Sequence, residues 1–306
     1  MTWDLGQMPD QTGRTILVTG VTSGLGTHTA RELARGGARV ILAARNPQKL
    51  AVTKAALLDE LPDAALEDLI VDVSSLDSVR SAAEEATRFG ALDALVHNAG
   101  VMATPERRTS DGLDLQMATN HFGPFLMTGL LLPQLVASGD GRVVSVSSAM
   151  HRFAGKAPLW DPRERRGRHS RWVVYAQSKL ANLLFTHEFD RRARAKSLQV
   201  KALAAHPGYA ATHLLSYGQT MKGSGGLTSI FDAAMKAGAQ SAEMGALPTL
   251  MATTADLPGG TYCGPSRMQQ MRGLPQVVGS NRLSRDTESQ RRFWDLSEQA
   301  TGITYP

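Results

Sequence analysis

Thr15-Ile-Leu-Val-Thr19-Gly20-Val-Thr-Ser-Gly24-Leu-Gly26 decides how this chain folds. Thr15 to Thr19 is a short β-branched run that suits a buried strand. The glycine-rich turn Gly20 to Gly26 follows at once, and Thr27 to Gly36 then carries apolar residues at helical spacing. Strand, glycine turn and helix in that order bring backbone N–H groups and a helix N-terminus to one point, an arrangement that binds pyrophosphate. Gly20, Gly24 and Gly26 permit the tight turn and a close backbone approach, and Thr22, Ser23 and Leu25 between them complete the candidate cofactor contacts. The spacing is G-x-x-x-G-x-G rather than G-x-G-x-x-G, so the glycines alone also fit a plain loop.

Strand and helix keep alternating outward from this unit. Ala38 to Ala44 reads as a second strand. Where dinucleotide folds often place an acid for the ribose 2′-hydroxyl, Ala44 is followed by Arg45. A guanidinium fork matches a phosphate, so Arg45 favours NADP(H) over NAD(H), against the plainer reading of a solvated strand-end charge. Pro47 to Leu61 reads as a helix, Leu66 to Val73 as a strand, Ser78 to Gly90 as a helix and Ala91 to His97 as a strand. Asp72, next to Val73, either bonds an adenine amino group or caps the following helix with Ser74 or Ser75. The small residues of Asn98-Ala99-Gly100 let the backbone run close to a cofactor.

Gly112 to Val136 is read as one long helix holding Asn120, which needs partners if buried and would then link two elements. Gly141 to Ser147 is a fifth strand, with Ser148 at its carboxyl end, the side on which open α/β sheets bind ligands. Residues 152–172 break the rhythm: Arg163, Arg165, Arg166, Arg168, His169 and Arg171 crowd an exposed basic insertion, a solvated loop or a surface for an anionic substrate or acidic partner. Leu198 to Ala205 is a sixth strand, followed by His206-Pro207-Gly208 and Thr212. Residues 212–238 combine glycines with apolar side chains, as a substrate lid would. Ser241 to Thr253 is helical, Gly260 to Tyr262 a last strand, and 263–306 a carboxyl-terminal extension with an amphipathic helix from Asp286 to Ala300. The alternation implies one α/β domain over 1–306.

Tyr175-Ala-Gln-Ser-Lys179 lies on a buried helical pattern, so both end side chains leave one face a turn apart. A free phenol titrates near ~10, and an adjacent ammonium is expected to lower that value, making Tyr175 a proton donor and acceptor nearer neutral pH.

Bulk properties exclude several classes. The 306 residues are 42% hydrophobic and 20% charged, ordinary for a globular protein. The single cysteine, Cys263, excludes an internal disulfide and a cysteine-cluster metal site, and no metal is expected. A net charge of +5 is modest for this length and no nucleic-acid motif accompanies it. Met1 to Gly13 has neither signal-peptide nor transmembrane pattern, so the expectation is no integral membrane segment and a cytoplasmic location.

Together these pieces resemble the short-chain dehydrogenase/reductase family. The carriers are Thr19-Gly20-x-x-x-Gly24-x-Gly26, Asp72-Val73, Asn98-Ala99-Gly100, Asn120, Ser147-Ser148, Tyr175-x-x-x-Lys179 and Pro207-Gly208-x-x-x-Thr212. Leu42-Ala-Ala-Arg45-Asn46, Asn120-His-Phe-Gly-Pro-Phe125, Gln177-Ser-Lys-Leu-Ala-Asn182 and Tyr262-Cys-Gly-Pro265 are similar to the retinol-dehydrogenase-like group. His97 stands where many members have a second asparagine. The resemblance implies a Rossmann fold, a doubly wound, seven-stranded parallel sheet, and a nicotinamide cofactor across its strand ends. It implies that Tyr175 exchanges a proton with a carbonyl or alcohol oxygen and that Lys179 lowers the tyrosine pKa and holds the nicotinamide ribose. Ser148 then bonds the substrate oxygen, Asn120 holds a relay water, and Thr212 with the Pro207-Gly208 backbone positions the carboxamide. It also implies pairing of two copies through the helices of Asn120 and Tyr175, unless the carboxyl tail blocks them. The expected activity is NADP(H)-dependent interconversion of a carbonyl and an alcohol on a small, apolar molecule. A non-catalytic NAD(P) sensor and a protochlorophyllide-type double-bond reductase are the alternatives.

Overall fold

The computed structural model describes residues 2–164, 167, 169–209 and 240–306. The expected lid at 212–238, Thr212 within it, and Arg165, Arg166 and Arg168 of the insertion lie outside the described residues. The strands are β1 (Thr15–Thr19), β2 (Arg39–Ala44), β3 (Leu66–Ile70), β4 (Ala94–His97), β5 (Gly141–Val146), β6 (Val200–Ala205), β7 (Tyr262–Arg267) and β8 (Arg272–Val277). They form one sheet in the order β3-β2-β1-β4-β5-β6-β7-β8. β1 through β7 pair in parallel, the seven-stranded Rossmann arrangement expected, and β8 adds an antiparallel edge strand. The strand order reverses between β1 and β4, so a ligand crevice opens beyond their carboxyl ends.

Helices cover both faces, which is why the inner strands hold buried apolar runs such as Ile16 to Val18, Val40 to Ala44 and Ala94 to Val96. Along β1, Leu17 faces one core while Ile16 and Val18 face the other; Ile41 and its neighbours Val40 and Leu42 divide in the same way along β2. The first core takes in α3 (Leu76–Ala86), α5 (Gly123–Ala137), α6 (Arg171–Ala195) and α8 (Thr287–Thr301). The second takes in α1 (Gly24–Arg35), α2 (Pro47–Glu60) and α7 (Ala242–Thr254).

Three expectations are corrected. The helix read over Gly112 to Val136 is a composite. A short α4 (Leu115–Met117), capped by the Asp114 carboxylate at 2.8 Å from the Gln116 amide, runs into a π-helical stretch, Ala118–Phe122, and then into α5. Pro124 has no N–H to give to the carbonyl of Asn120 four residues back, so the α pattern cannot pass through Asn120 unchanged. The last parallel strand starts at Tyr262 and continues to Arg267, into the stretch assigned to the extension. β8 was not foreseen because Gly273 and Pro275 interrupt its pattern; at a sheet edge a proline is tolerated.

The carboxyl-terminal helix α8, expected from about Asp286, is capped by the Asp286 side chain on the Ser289 amide at 3.0 Å. It lies on α5 and α6. Trp294 stacks on Phe185 with centroids 5.9 Å apart and an interplanar angle of 4°. Tyr305 packs at a tilt on Phe125 and Phe189, and its hydroxyl donates to the Phe125 carbonyl at 2.9 Å. Arg80 and Arg163 donate to the last carbonyls of α8, Thr301 and Ala300, at 2.6 and 2.8 Å, where the helix dipole is negative. Arg163 therefore anchors the basic insertion to the body of the protein rather than leaving it merely solvated.

Candidate active site

The glycine turn after β1 is shaped by contacts that leave no room for side chains. Gly20 has a φ of 73°, and a Cβ there would stand 2.7 Å from the Ala99 Cα. At Gly26 a Cβ would meet the Gly20 carbonyl oxygen at 2.2 Å and Asn98 Nδ2 at 2.4 Å. Asn98 reaches across from the end of β4 and donates to the carbonyls of Thr19 and Gly20 at 2.9 and 3.1 Å. The Thr19 hydroxyl accepts the backbone N–H groups of Asn98 and Ala99 at 3.1 and 3.0 Å. Asn98 thus ties the two strand ends together. Ser23, at the N-cap of α1, makes no side-chain cap bond, so the first N–H groups of that helix have no such partner.

The turn forms one wall of a cleft of about 1140 Å³ beyond the carboxyl ends of the sheet. Ordinary small-molecule sites hold roughly 300–1,000 Å³, so a dinucleotide and a second molecule have room. Thr22, Ser23, Gly24, Leu25, Arg45, Asp72, Val73, Asn98, Ala99, Gly100, Tyr175, Lys179 and Pro207 line it together with Gly20 and Gly26. The lining carries the cations Arg45, Lys49, Arg107, Arg108 and Lys179 against one acid, Asp72. Orphan helix N–H groups, glycines packed on backbone and a cationic lining fit a dinucleotide's phosphates. Asp72 uses Oδ1 to close a turn on the Ser74 amide and hydroxyl at 2.9 and 2.7 Å, while Ser75 caps α3. The helix cap expected of Asp72 with Ser74 or Ser75 is thus made by Ser75, and Asp72 closes the turn that leads into it.

At the other end of the cleft Tyr175 and Lys179 leave α6 on one face. Lys179 Nζ lies 5.8 Å from the Tyr175 ring centroid. It donates to the last carbonyl of β5, Val146 O, at 2.9 Å. Ser148 stands close enough to the Tyr175 hydroxyl to act on its titration. Burial dominates both titrations. It raises Tyr175 to about 12, opposed by Ser148, and it lowers Lys179 to about 8. The expected lowering of the tyrosine by its neighbour is therefore reversed, because desolvation of a buried phenolate outweighs a lysine whose own charge is disfavoured.

Asn120, in the π-helical stretch, has its amide fully engaged. Oδ1 accepts the Val101 N–H at 2.8 Å, and Nδ2 donates to Val101 O and Ser178 Oγ, each at 2.9 Å. It links the β4–α4 loop to α6, the structural reading of this residue. Ser148 ends the β5 turn and accepts the Met150 N–H at 3.2 Å. Gly208 has a φ of 66° against the Met271 carbonyl, where a Cβ would stand 2.5 Å away. Gln240 holds the same corner, donating to Pro207 O at 2.6 Å and accepting from Gly273 N at 3.2 Å.

Several cleft residues escaped the sequence reading. Lys49 lies in the first turn of α2, whose cap Asn46 directly follows Arg45, and the nearness of the two cations in sequence was available as a signal. Arg107, Arg108 and Ser110 come from an irregular loop with no periodicity to place them. Arg108 also grips the insertion, donating to Pro162 O and Glu164 O at 2.9 and 2.8 Å.

The chain matches the model of the short chain dehydrogenase family over residues 14–222. It is 34% identical to human (Homo sapiens) retinol dehydrogenase 13 over 302 residues, covering 96% of this chain and 86% of that protein. A crystal structure of an uncharacterised protein from Mycobacterium Paratuberculosis superimposes with a TM-score of 0.81 at 38% identity, covering 100% of both chains. A short chain dehydrogenase from Shigella flexneri 2A, solved in complex with NADP, shares the fold at a TM-score of 0.62 and 22% identity, covering 84% of this chain and 98% of that one.

Proposed function

The chain belongs to the short-chain dehydrogenase family, within its retinol-dehydrogenase-like group, and from that premise we propose an NADP(H)-dependent oxidoreductase that interconverts an apolar carbonyl compound and its alcohol. The observation that carries the reading is the convergence of Tyr175 and Lys179, with Ser148 beside the tyrosine, at one end of a cationic cleft whose other end is the glycine turn. The nicotinamide, when bound, supplies the hydride. The protein's share is orientation and proton handling.

In the direction of reduction, Ser148 Oγ and the Tyr175 hydroxyl hold the substrate oxygen between them, and Tyr175 gives it a proton as negative charge develops there. Lys179 binds the ribose and recharges the phenol. Its pKa of about 8 leaves it close to the operating pH, where proton exchange is easiest. Asn120 serves the relay by fixing the Val101 loop beside Lys179 through its side-chain amide. Arg45 and Lys49 would hold the 2′-phosphate, and Pro207, Gly208 and Thr212 the carboxamide. Val101, Met102 and Val146 give the substrate end its apolar wall. Relatives are named for retinol; for this chain the assignment goes no further than an apolar carbonyl or alcohol.

Fluorescence titration of NADPH and NADH against wild type and Arg45→Ala tests the cofactor assignment, and a panel of aliphatic and aromatic aldehydes and ketones tests the reaction. Tight NADPH binding that weakens about 10–100-fold in the variant, the worth of a charge-assisted bond, is expected. NADH preference untouched by the substitution contradicts the assignment of Arg45.

A further inference from the structure

Ser148 is held from behind by a residue that has no part in the chemistry described above. The 3-10 turn Ala149–Phe153 leaves β5 directly after Ser148, and His151 within it is completely buried. Its ring and its backbone both point back. His151 N–H reaches the Ser148 carbonyl at 3.1 Å, and ring Nδ1 reaches the same oxygen at 2.7 Å. On its far side, ring Nε2 faces the backbone N–H of Asn281 at 3.2 Å. Asn281 Nδ2 completes the ring of contacts by donating to the His151 carbonyl at 3.1 Å.

The partners fix the tautomer. A carbonyl oxygen only accepts, so Nδ1 carries the proton; a backbone N–H only donates, so Nε2 is bare. Burial pushes the imidazole down to about 4, which keeps it in this neutral form. The edge of Tyr262, with ring centroids 5.7 Å apart and planes at 83°, closes another side of the ring. The next residue, Arg152, is fastened independently to the β7–β8 turn, donating to Gln270 at 2.8 Å.

We propose that His151 is a positioning residue that aims the Ser148 hydroxyl at Tyr175 by tying the Ser148 carbonyl to the carboxyl-terminal segment at Asn281. With the carbonyl pinned by two donors from one residue, the Ser148 backbone cannot rotate. Its Oγ is then held on the Met150 N–H with its proton and remaining lone pair free for Tyr175 and substrate. The segment after β8 thereby becomes part of the active-site support, although it lies far from Ser148 in sequence. The inference rests on the catalytic role proposed for Ser148.

A double-mutant cycle separates positioning from mere stability. The enzyme is assayed by NADPH oxidation with an aldehyde or ketone drawn from the panel, in wild type, Ser148→Ala, His151→Phe and the double variant, with NADPH affinity measured for each. His151→Phe keeps the ring's volume and removes both ring hydrogen bonds. It is expected to lower kcat by on the order of 10-fold or more, as misplacements of catalytic groups do, with NADPH affinity unchanged. In the Ser148→Ala background the same substitution is expected to cost nothing further. His151→Asn, whose amide can stand where Nδ1 stood, restores most of the lost kcat and guards against a folding defect in the phenylalanine variant. Losses that multiply in the double variant, or a His151→Phe enzyme with wild-type kcat beside a crippled Ser148→Ala, overturn the positioning role alone. Wild-type turnover in Ser148→Ala, or no turnover of any panel member by wild type, overturns the proposed function as well.

Discussion

At the scale of single residues the site sets function against stability at Lys179. Its ammonium is buried and donates to the Val146 carbonyl, and burial lowers its pKa from 10.5 to about 8. The native pKa lies below the unfolded one, so between those values the unfolded chain binds the extra proton. The group's penalty is complete below about pH 8 and is relieved as pH climbs towards 10.5. Lys179→Met removes the charge without orphaning Val146 O, which still accepts from Asn182 Nδ2 at 3.0 Å. The variant is expected to melt several degrees higher than wild type at pH 7, by a smaller margin at pH 10, and to lose turnover. Thermal melts at the two pH values check this; a variant less stable than wild type at pH 7 contradicts it. Tyr175 carries the opposite burden, raised to about 12, so its ionisation is unfavourable until it faces a proton acceptor or a positive charge.

At the scale of elements, the glycine turn is a joint between β1, α1 and the end of β4. Gly26→Ala would force a Cβ against the Gly20 carbonyl and the Asn98 amide. Backbone cannot swing aside as a flexible side chain can, so the expected cost is about 1–3 kcal/mol together with loss of NADPH binding. Calorimetric titration of a folded Gly26→Ala protein checks it, and wild-type affinity would speak against the packing described here. This joint was legible in the sequence because it consists of a β-branched strand, glycines at fixed spacing and a periodic helix. Tyr175 and Lys179 were legible for the same reason, being four apart on one helix. The electrostatics between them were not, because desolvation depends on what surrounds α6 and no local pattern encodes that. Nor could the sequence reveal β8, broken by Gly273 and Pro275, the π-helical stretch at Asn120, or the clamp of His151 on Asn281, 130 residues apart. Contacts of that separation arise only once the sheet has assembled.

At the scale of the whole molecule, the aromatic face of α5 and α6 is already covered by the chain's own tail. Phe293 and Trp294 are almost fully buried there, and filling such sites is worth roughly 1.5–3 kcal/mol per side chain. The pairing of copies through the helices of Asn120 and Tyr175, which the family resemblance implied, would need that tail to leave. Analytical ultracentrifugation is therefore expected to find no dimer built on this face. A chain ending before Thr287 would expose Phe125, Phe185 and Phe189 and is expected to self-associate and melt at a lower temperature. A truncated protein that remains monomeric with an unchanged melting temperature would show that α8 contributes little. No helix among the described residues is long and apolar enough to cross a membrane.

The central claim is that Tyr175 is the acid and base of a carbonyl–alcohol oxidoreductase, and one comparison reaches it most directly: NADPH-dependent carbonyl reduction by wild type and by Tyr175→Phe, with NADPH affinity measured on the same samples. Removing the hydroxyl leaves the ring and its packing in α6. The expected result is unchanged NADPH binding with turnover reduced about 10²–10⁴-fold, the range of general acid–base catalysis. Undiminished turnover in Tyr175→Phe would contradict the account.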